Sequence, residues 1–328
     1  MKAHFGPFEK NLDPRCCAPP LVFVYATKRC NLNCSFCVRG GPVNEEAYEL
    51  TPQKFQTILD NPYVRQSAFI CFNGGEPLLN AFLPELTAMA KARGHLVGLI
   101  TNGLRFGEQP ELAATLIEAG ICDMQLSIYD ESKTRLAAIL PHLTAQIPVH
   151  ASYVLTRTKL CAEAENDFHD LLDTVDLALA SGCSSLKFNI CNPGDGEADS
   201  PEIIRDEDSV LYLSFIKEAI TRFGDRIIFS GYGTSGANKR GAFGVFFPGP
   251  TASSPSQRKC RTPWTILSVD AQGNYGLCCR LAPDASFGGL NAPFALSLRE
   301  SLIDDTKPVH PACVNCSHLC GSFASDFF

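Results

Sequence analysis

Short apolar runs alternate with amphipathic stretches through the first 230 residues. The runs at 21–26, 68–72, 96–101, 123–128, 148–155, 185–190 and 226–230 are rich in Val, Ile, Leu and Phe. Continuous apolar runs of this length predict strands buried on both faces. The stretches at 52–60, 82–93, 111–119, 132–140, 163–181 and 206–223 space their apolar residues as helices do. Thr51-Pro52, Asp130 and Asp206 stand where helix N-termini begin. Strands each followed by a helix, repeated along the chain, predict an α/β fold with a parallel sheet, an open or partial TIM-type (β/α)6 barrel. In such a barrel the chemistry gathers at the C-terminal ends of the strands.

The pattern changes after residue 230. Residues 231–256 are rich in Gly, Pro and Ser and carry Phe243, Phe246 and Phe247. This stretch reads as a linker with a loop beside the barrel mouth, its aromatic residues packing the junction. The division expected is an N-terminal extension (1–20), the barrel (21–235), a linker (236–259) and a small Cys-rich domain (260–328).

Composition narrows the function. A chain of 328 residues with net charge −7 and pI about 5.5 lacks the basic balance of a nucleic-acid binder. The first fifteen residues have no signal-peptide layout, and no apolar run is long enough to span a bilayer. The expected location is cytoplasmic, with no membrane partner. Sixteen cysteines in such a chain point to metal or redox chemistry instead of a disulfide framework.

Cys30, Cys34 and Cys37 lie in Cys30-Asn31-Leu32-Asn33-Cys34-Ser35-Phe36-Cys37, directly after the first predicted strand. A [4Fe–4S] cube normally takes four thiolates, so three local ones leave an iron corner open to a small molecule. The C-x3-C-x2-C spacing with an aromatic before the last Cys resembles the radical S-adenosylmethionine (SAM) superfamily. Asn73-Gly74-Gly75-Glu76-Pro77 resembles the segment by which that family contacts the SAM amino group. Thr101-Asn102-Gly103 and Leu126-Ser127-Ile128 fall where it has further strand-end SAM contacts. Phe36 matches the position whose backbone lies beside the adenine. The resemblance implies that reductive cleavage of SAM gives a 5′-deoxyadenosyl radical that takes hydrogen from a substrate. It also implies a flavodoxin- or ferredoxin-type electron donor. Gly74 and Gly75, the two glycines at their strand end, permit close backbone approach to a ligand. Arg157, after a strand, is a candidate for the SAM carboxylate or an acidic substrate. Lys187, in an otherwise apolar strand, is a candidate lumen residue needing a partner or a function.

The last 70 residues hold a second thiol set. Cys260, Gly273 and Cys278 fit C-x12-G-x4-C, and Cys313-Val314-Asn315-Cys316 follows. Two separated thiol pairs suit a four-Cys site. The spacing resembles the SPASM and twitch extensions of radical SAM barrels, which implies one auxiliary [4Fe–4S] cluster on Cys260, Cys278, Cys313 and Cys316. Structural zinc suits four thiolates equally. Cys279, Cys320, Cys16 and Cys17 have no assigned role. Cys71, Cys122, Cys161, Cys183 and Cys191, in or near apolar segments, read as buried free thiols.

The expected reaction is hydrogen abstraction ending in net oxidation or epimerisation of a small sugar or aminocyclitol. Only 29 residues precede Cys30, fewer than a leader-binding domain needs, which favours the small molecule. The alternatives are a peptide maturase, forming a cross-link or an epimer, and a non-catalytic iron–sulfur scaffold.

Overall fold

The computed structural model describes residues 19–37, 49–191, 200–230, 266–277 and 300. Its strands are β1 (Leu21–Thr27), β2 (Phe69–Gly74), β3 (Leu96–Thr101), β4 (Ile121–Ser127), β5 (Val149–Leu155), β6 (Ser185–Ile190), β7 (Ile227–Ser230), β8 (Ile266–Val269) and β9 (Tyr275–Gly276). The helices are α1 (Pro52–Asp60), α2 (Pro62–Arg65), α3 (Leu83–Ala92), α4 (Leu104–Glu108), α5 (Glu111–Ala119), α6 (Lys133–Thr144), α7 (Arg157–Glu163), α8 (His169–Ala180) and α9 (Ser209–Phe223). One sheet holds all the described strands in the order β7-β6-β5-β4-β3-β2-β1-β8-β9. From β1 to β7 every pairing is parallel and follows chain order. This is the winding of a partial barrel, as the alternation of runs predicts.

Each strand shows two faces. Val22, Val24, Ile70, Phe72, Val97, Leu99, Met124, Leu126, Val149, Ala151, Leu186 and Phe188 join the main core with the helices. The alternate positions face the other way. There the β8–β1–β2 side is apolar, with Leu21, Phe23, Cys71 and Ile266 packed together against Phe69 and Ile100. The β4–β6 side is polar: Asn189 Nδ2 donates to Ser152 Oγ at 2.7 Å, and His150 Nδ1 lies 2.9 Å from Ser185 Oγ. This second face is the lumen wall, half apolar and half polar.

At the β6–β7 end the core is aromatic. The Phe188 ring is 5.0 Å from Phe215, edge-on, and 5.5 Å from Phe229, stacked. Phe188 is fully buried. Phe188→Ala is expected to cost about 3–5 kcal/mol in urea unfolding, the range for emptying a large aromatic site. A loss below about 1 kcal/mol would show that the neighbours collapse into the space.

Two elements differ from expectation. The helix expected over 163–181 begins only at His169, as α8, because Asp167 and Phe168 take positive φ (50° and 60°); the helix before it, α7, lies at 157–163, ahead of the expected stretch. Glu163 Oε2 then accepts from the Asp170 N–H at 2.9 Å, satisfying the new helix start. The second difference is the β8–β9 hairpin. β8 pairs parallel with β1, from Leu21↔Ile266 to Val24↔Val269, so residues 266–277 extend the barrel's own sheet. The turn places Gly273 at φ +87°, and Asp270 accepts from the backbone N–H groups of Gln272 and Asn274. The motif glycine between Cys260 and Cys278 is therefore a hairpin-turn glycine. Cys260, Cys278, Cys313 and Cys316 themselves lie outside the described residues. Of the cysteines expected to be buried, Cys161 is exposed on α7 and Cys122 is half-buried; Cys71, Cys183 and Cys191 are buried.

Candidate active site

The ends of β1, β2 and β3 are woven into one unit, and the Cys30–Cys37 loop hangs from it. The Glu76 N–H donates to the Arg29 carbonyl at 2.7 Å and the Gly75 N–H to the Thr27 carbonyl at 2.8 Å. Arg29 reaches the other way, giving Nε to Glu49 Oε1 at 2.5 Å and an η nitrogen to the Leu79 carbonyl at 2.7 Å. Thr27 Oγ1 also donates to Glu49 Oε1. From β3, Asn102 Nδ2 donates to Asn31 Oδ1 at 2.8 Å, inside the Cys loop. Asn80 closes the rim by donating to the Ala26 and Leu50 carbonyls.

The two glycines serve this docking. A Cβ on Gly75 would stand 2.1 Å from the Arg29 carbonyl oxygen; one on Gly74 (φ +146°) would stand 2.3 Å from that of Thr27. The close approach they permit is therefore that of the Cys loop's own backbone. Gly103 (φ +69°) begins α4 in the left-handed region, against the Leu126 side chain.

Glu76 is 1% exposed. Its Oε1 accepts from Thr101 Oγ1 at 2.6 Å and from the Leu78 N–H at 2.9 Å, and its Oε2 from the Asn102 N–H at 2.8 Å. The carboxyl thus joins the β2 end, the Pro77–Leu79 turn and the β3 end. Burial pushes its pKa up to about 7 against those donors. A carboxyl raised in the folded state stabilises the fold below its unfolded pKa of 4.5 and loses that contribution as pH rises to about 7. Between pH 5 and pH 8 the apo-protein should lose about 2–3 kcal/mol more in urea unfolding than Glu76→Gln does. Equal losses would place the ionisation at its ordinary value.

A second wall rises from β4. Ser127 ends that strand, and its side chain lies in hydrogen-bond reach of the Tyr129 hydroxyl. The Tyr129 ring stacks on Phe36 of the Cys loop, centroids 5.9 Å apart and planes at 27°. Burial first, then the nearby Cys34, raises the Tyr129 pKa and keeps it a neutral phenol. Asp130, next to it, is held by Lys133 (3.4 Å) and Lys159 (2.9 Å) and accepts from Tyr153. Tyr129 is a site residue that sequence reasoning missed, although it stands two positions after Ser127. Arg157, expected at a ligand, gives its guanidinium to Asp208 (2.7 Å) and Glu207 (2.9 Å). Lys187 lies half-buried on the polar lumen wall with Asp123, Gln125, His150 and Ser185, toward the opposite end of the strands from the Cys loop.

The three thiols are half-buried and in no disulfide, with the Cys37 N–H turned back onto the Cys34 carbonyl at 3.1 Å. Burial raises the Cys30 thiol above its ordinary pKa. A model of the Radical SAM superfamily matches residues 24–206, from β1 to the turn before α9. The chain belongs to the radical SAM superfamily.

Radical SAM proteins are enzymes, and membership implies a [4Fe–4S] cluster and SAM. The chain is 33% identical over 118 residues to the PqqA peptide cyclase of Streptomyces rochei. That stretch is 36% of this chain and 32% of the relative, so the match spans about a third of the relative's length. In fold, it resembles Streptococcus suis SuiB bound to precursor peptide SuiA (TM-score 0.62, 13% identity, 86% of this chain and 66% of that one). It also resembles anSMEcpe with bound AdoMet and a peptide (TM-score 0.56, 16% identity, 92% and 88%). At these identities the structures establish the fold alone.

The residues present fit the group that membership implies. Among the described residues no three His, Cys, Asp or Glu side chains converge on a point for a single metal ion. A cube has no need of that convergence, because it takes one thiolate at each of separate corner irons. Three thiols on one loop, none of them in a disulfide, match three corners. Beside them, at the end of β2, the Asn73 Oδ1 acceptor is buried with no donor among the described residues, a lone pair suited to an ammonium such as SAM carries. No described helix is long and apolar enough to cross a membrane.

Proposed function

We propose that this radical SAM protein modifies a peptide, with the cluster held by Cys30, Cys34 and Cys37 and SAM held at the ends of β2, β3 and β4. When bound, the cluster and SAM supply a one-electron cleavage whose product takes hydrogen from a substrate C–H. The chain's own residues do the positioning. Thr27, Arg29, Glu49, Glu76 and Asn102 fix the Cys loop to the strand ends. The apolar cluster of Leu21, Phe23, Cys71 and Ile266, in the N-terminal halves of β1, β2 and β8, closes the far end of the lumen against water. The polar half, with Ser152 and Asn189, offers hydrogen bonds to a substrate amide.

The observation that carries the reading is the three-thiol loop locked onto the β1–β3 ends inside the matched stretch. Support for a peptide over a small sugar comes from the relatives: a peptide cyclase by sequence, and two similar folds that hold peptides. A flavodoxin- or ferredoxin-type donor and an auxiliary [4Fe–4S] cluster on Cys260, Cys278, Cys313 and Cys316 belong to the same proposal. Iron analysis tests the second cluster: about eight iron atoms per chain are expected, falling to about four in a Cys313→Ala/Cys316→Ala variant. About four in both would remove it.

The substrate test uses two fractions from cells grown in deuterium, short peptides and small metabolites. Deuterium should enter 5′-deoxyadenosine from the peptide fraction. Transfer from the metabolite fraction alone would return the assignment to a small molecule.

A further inference from the structure

One carboxylate at the barrel mouth has no ion-pair partner among the described residues. Glu202 lies between β6 and α9, and its backbone carbonyl accepts from the Arg157 N–H at 2.8 Å, just past the end of β5. Its side chain reaches the Cys loop, where Ser35 Oγ donates to Glu202 Oε1 over a long 3.4 Å. Since β2, β3 and β4 separate β1 from β5 in the sheet, this reach crosses the C-terminal mouth of the barrel. The other oxygen, Oε2, is buried and has no hydrogen-bond partner among the described residues.

The adjacent guanidinium does not supply the missing charge. Arg157, bound to Glu202 through its backbone, directs its side chain to Asp208 and Glu207. Ser127, Ser152 and Asn189, on the polar wall near the same mouth, are neutral. A buried carboxylate oxygen without a donor is unfavourable by itself. It becomes favourable when a ligand brings an ammonium or guanidinium to it.

We propose that Glu202 is the anchor for a cationic group of the substrate, a Lys or Arg side chain or a free amino terminus, held beside the cluster loop. This rests on the reading of the chain as a peptide-modifying enzyme and names what that peptide must carry. The ammonium of SAM has the same chemistry, and the test separates the two.

Two outcomes are expected of Glu202→Gln. Without any ligand, removing a half-buried carboxylate whose Oε2 has no donor among the described residues should raise the thermal midpoint of the reconstituted protein by about 2–4 °C. A fall in the midpoint would make the carboxylate a structural strut and overturn the proposal. The probes for binding are two pools of acetylated, amidated random 12-residue peptides, identical except for Lys or norleucine at the centre. Fluorescence anisotropy is measured with SAM present. Wild type should prefer the Lys pool by about 10-fold or more, and Glu202→Gln should bind both pools alike. Glu202→Lys should turn the preference toward a pool with central Glu. The same preference in wild type and Glu202→Gln, or none in wild type, overturns the proposal. So does loss of SAM affinity in Glu202→Gln with peptide preference intact, since the carboxylate then serves the cofactor. The parent reading has its own readout: if reduced wild type releases no 5′-deoxyadenosine from SAM, that reading fails. Release with no preference for the Lys pool sinks only the anchor.

Discussion

Cys34→Ala should abolish SAM cleavage, lowering 5′-deoxyadenosine formation by at least about 10³-fold, and Cys30→Ala and Cys37→Ala should do the same. A cube held through three protein corners has no spare ligand, and the described residues around the loop offer no fourth thiol. Losing one thiolate therefore removes both the cluster and the open iron that receives SAM. Iron, sulfide and visible absorption should fall together with activity. Cys161→Ser is the matched control. That thiol is exposed on α7, and its replacement should leave activity within about two-fold, as surface substitutions do. A Cys34→Ala protein that keeps full iron and cleaves SAM would place the cluster elsewhere.

Gly75→Ala should disable the same loop without touching a thiol. The added methyl would stand 2.1 Å from the Arg29 carbonyl oxygen, 2.6 Å from its carbon and 2.6 Å from the Lys28 carbonyl oxygen. All three are backbone atoms, so no side chain can swing aside. The loop must move off β2, breaking the Gly75–Thr27 and Glu76–Arg29 hydrogen bonds. Two lost hydrogen bonds and the overpacking together cost about 2–5 kcal/mol. Cluster loading should drop about 10-fold or more, although Cys30, Cys34 and Cys37 remain. Gly94→Ala is the control: its φ is also positive, at +86°, but nothing lies within 4 Å of the new methyl. It should cost about 1–2 kcal/mol from backbone strain and leave the cluster intact. Equal cluster loading in the two variants would show that the Cys loop does not depend on this contact.

The barrel was legible because its strands are continuous apolar runs, and β1 through β7 fall within a few residues of them. Local thiol spacing and the segments at 73–77, 101–103 and 126–128 all fall at C-terminal strand ends of this sheet. The roles of those segments were only partly legible. Glu76 reads in sequence as a ligand carboxylate, yet it answers to Thr101 and Asn102, and Gly75 answers to Arg29. These partners stand 25 to 46 residues away, at distances set by the sheet register, which local pattern does not encode. The pairing of Arg157 was not legible for the same reason, since Asp208 meets it only after α8 and β6 have been wound in. Tyr129 and Glu202 carry no motif; their place follows from a ring stack and from a reach across the barrel mouth. The hairpin at 266–277 was missed because β8 is four residues long and sits in a stretch dominated by its cysteines.

The most direct test of the central claim is SAM cleavage by anaerobically reconstituted, chemically reduced protein, read as 5′-deoxyadenosine by mass spectrometry. Wild type should release 5′-deoxyadenosine together with methionine, and Cys34→Ala should release neither. Wild-type protein with an intact cluster on the Cys30–Cys37 loop and no 5′-deoxyadenosine would contradict the catalytic account and leave an iron–sulfur scaffold in its place.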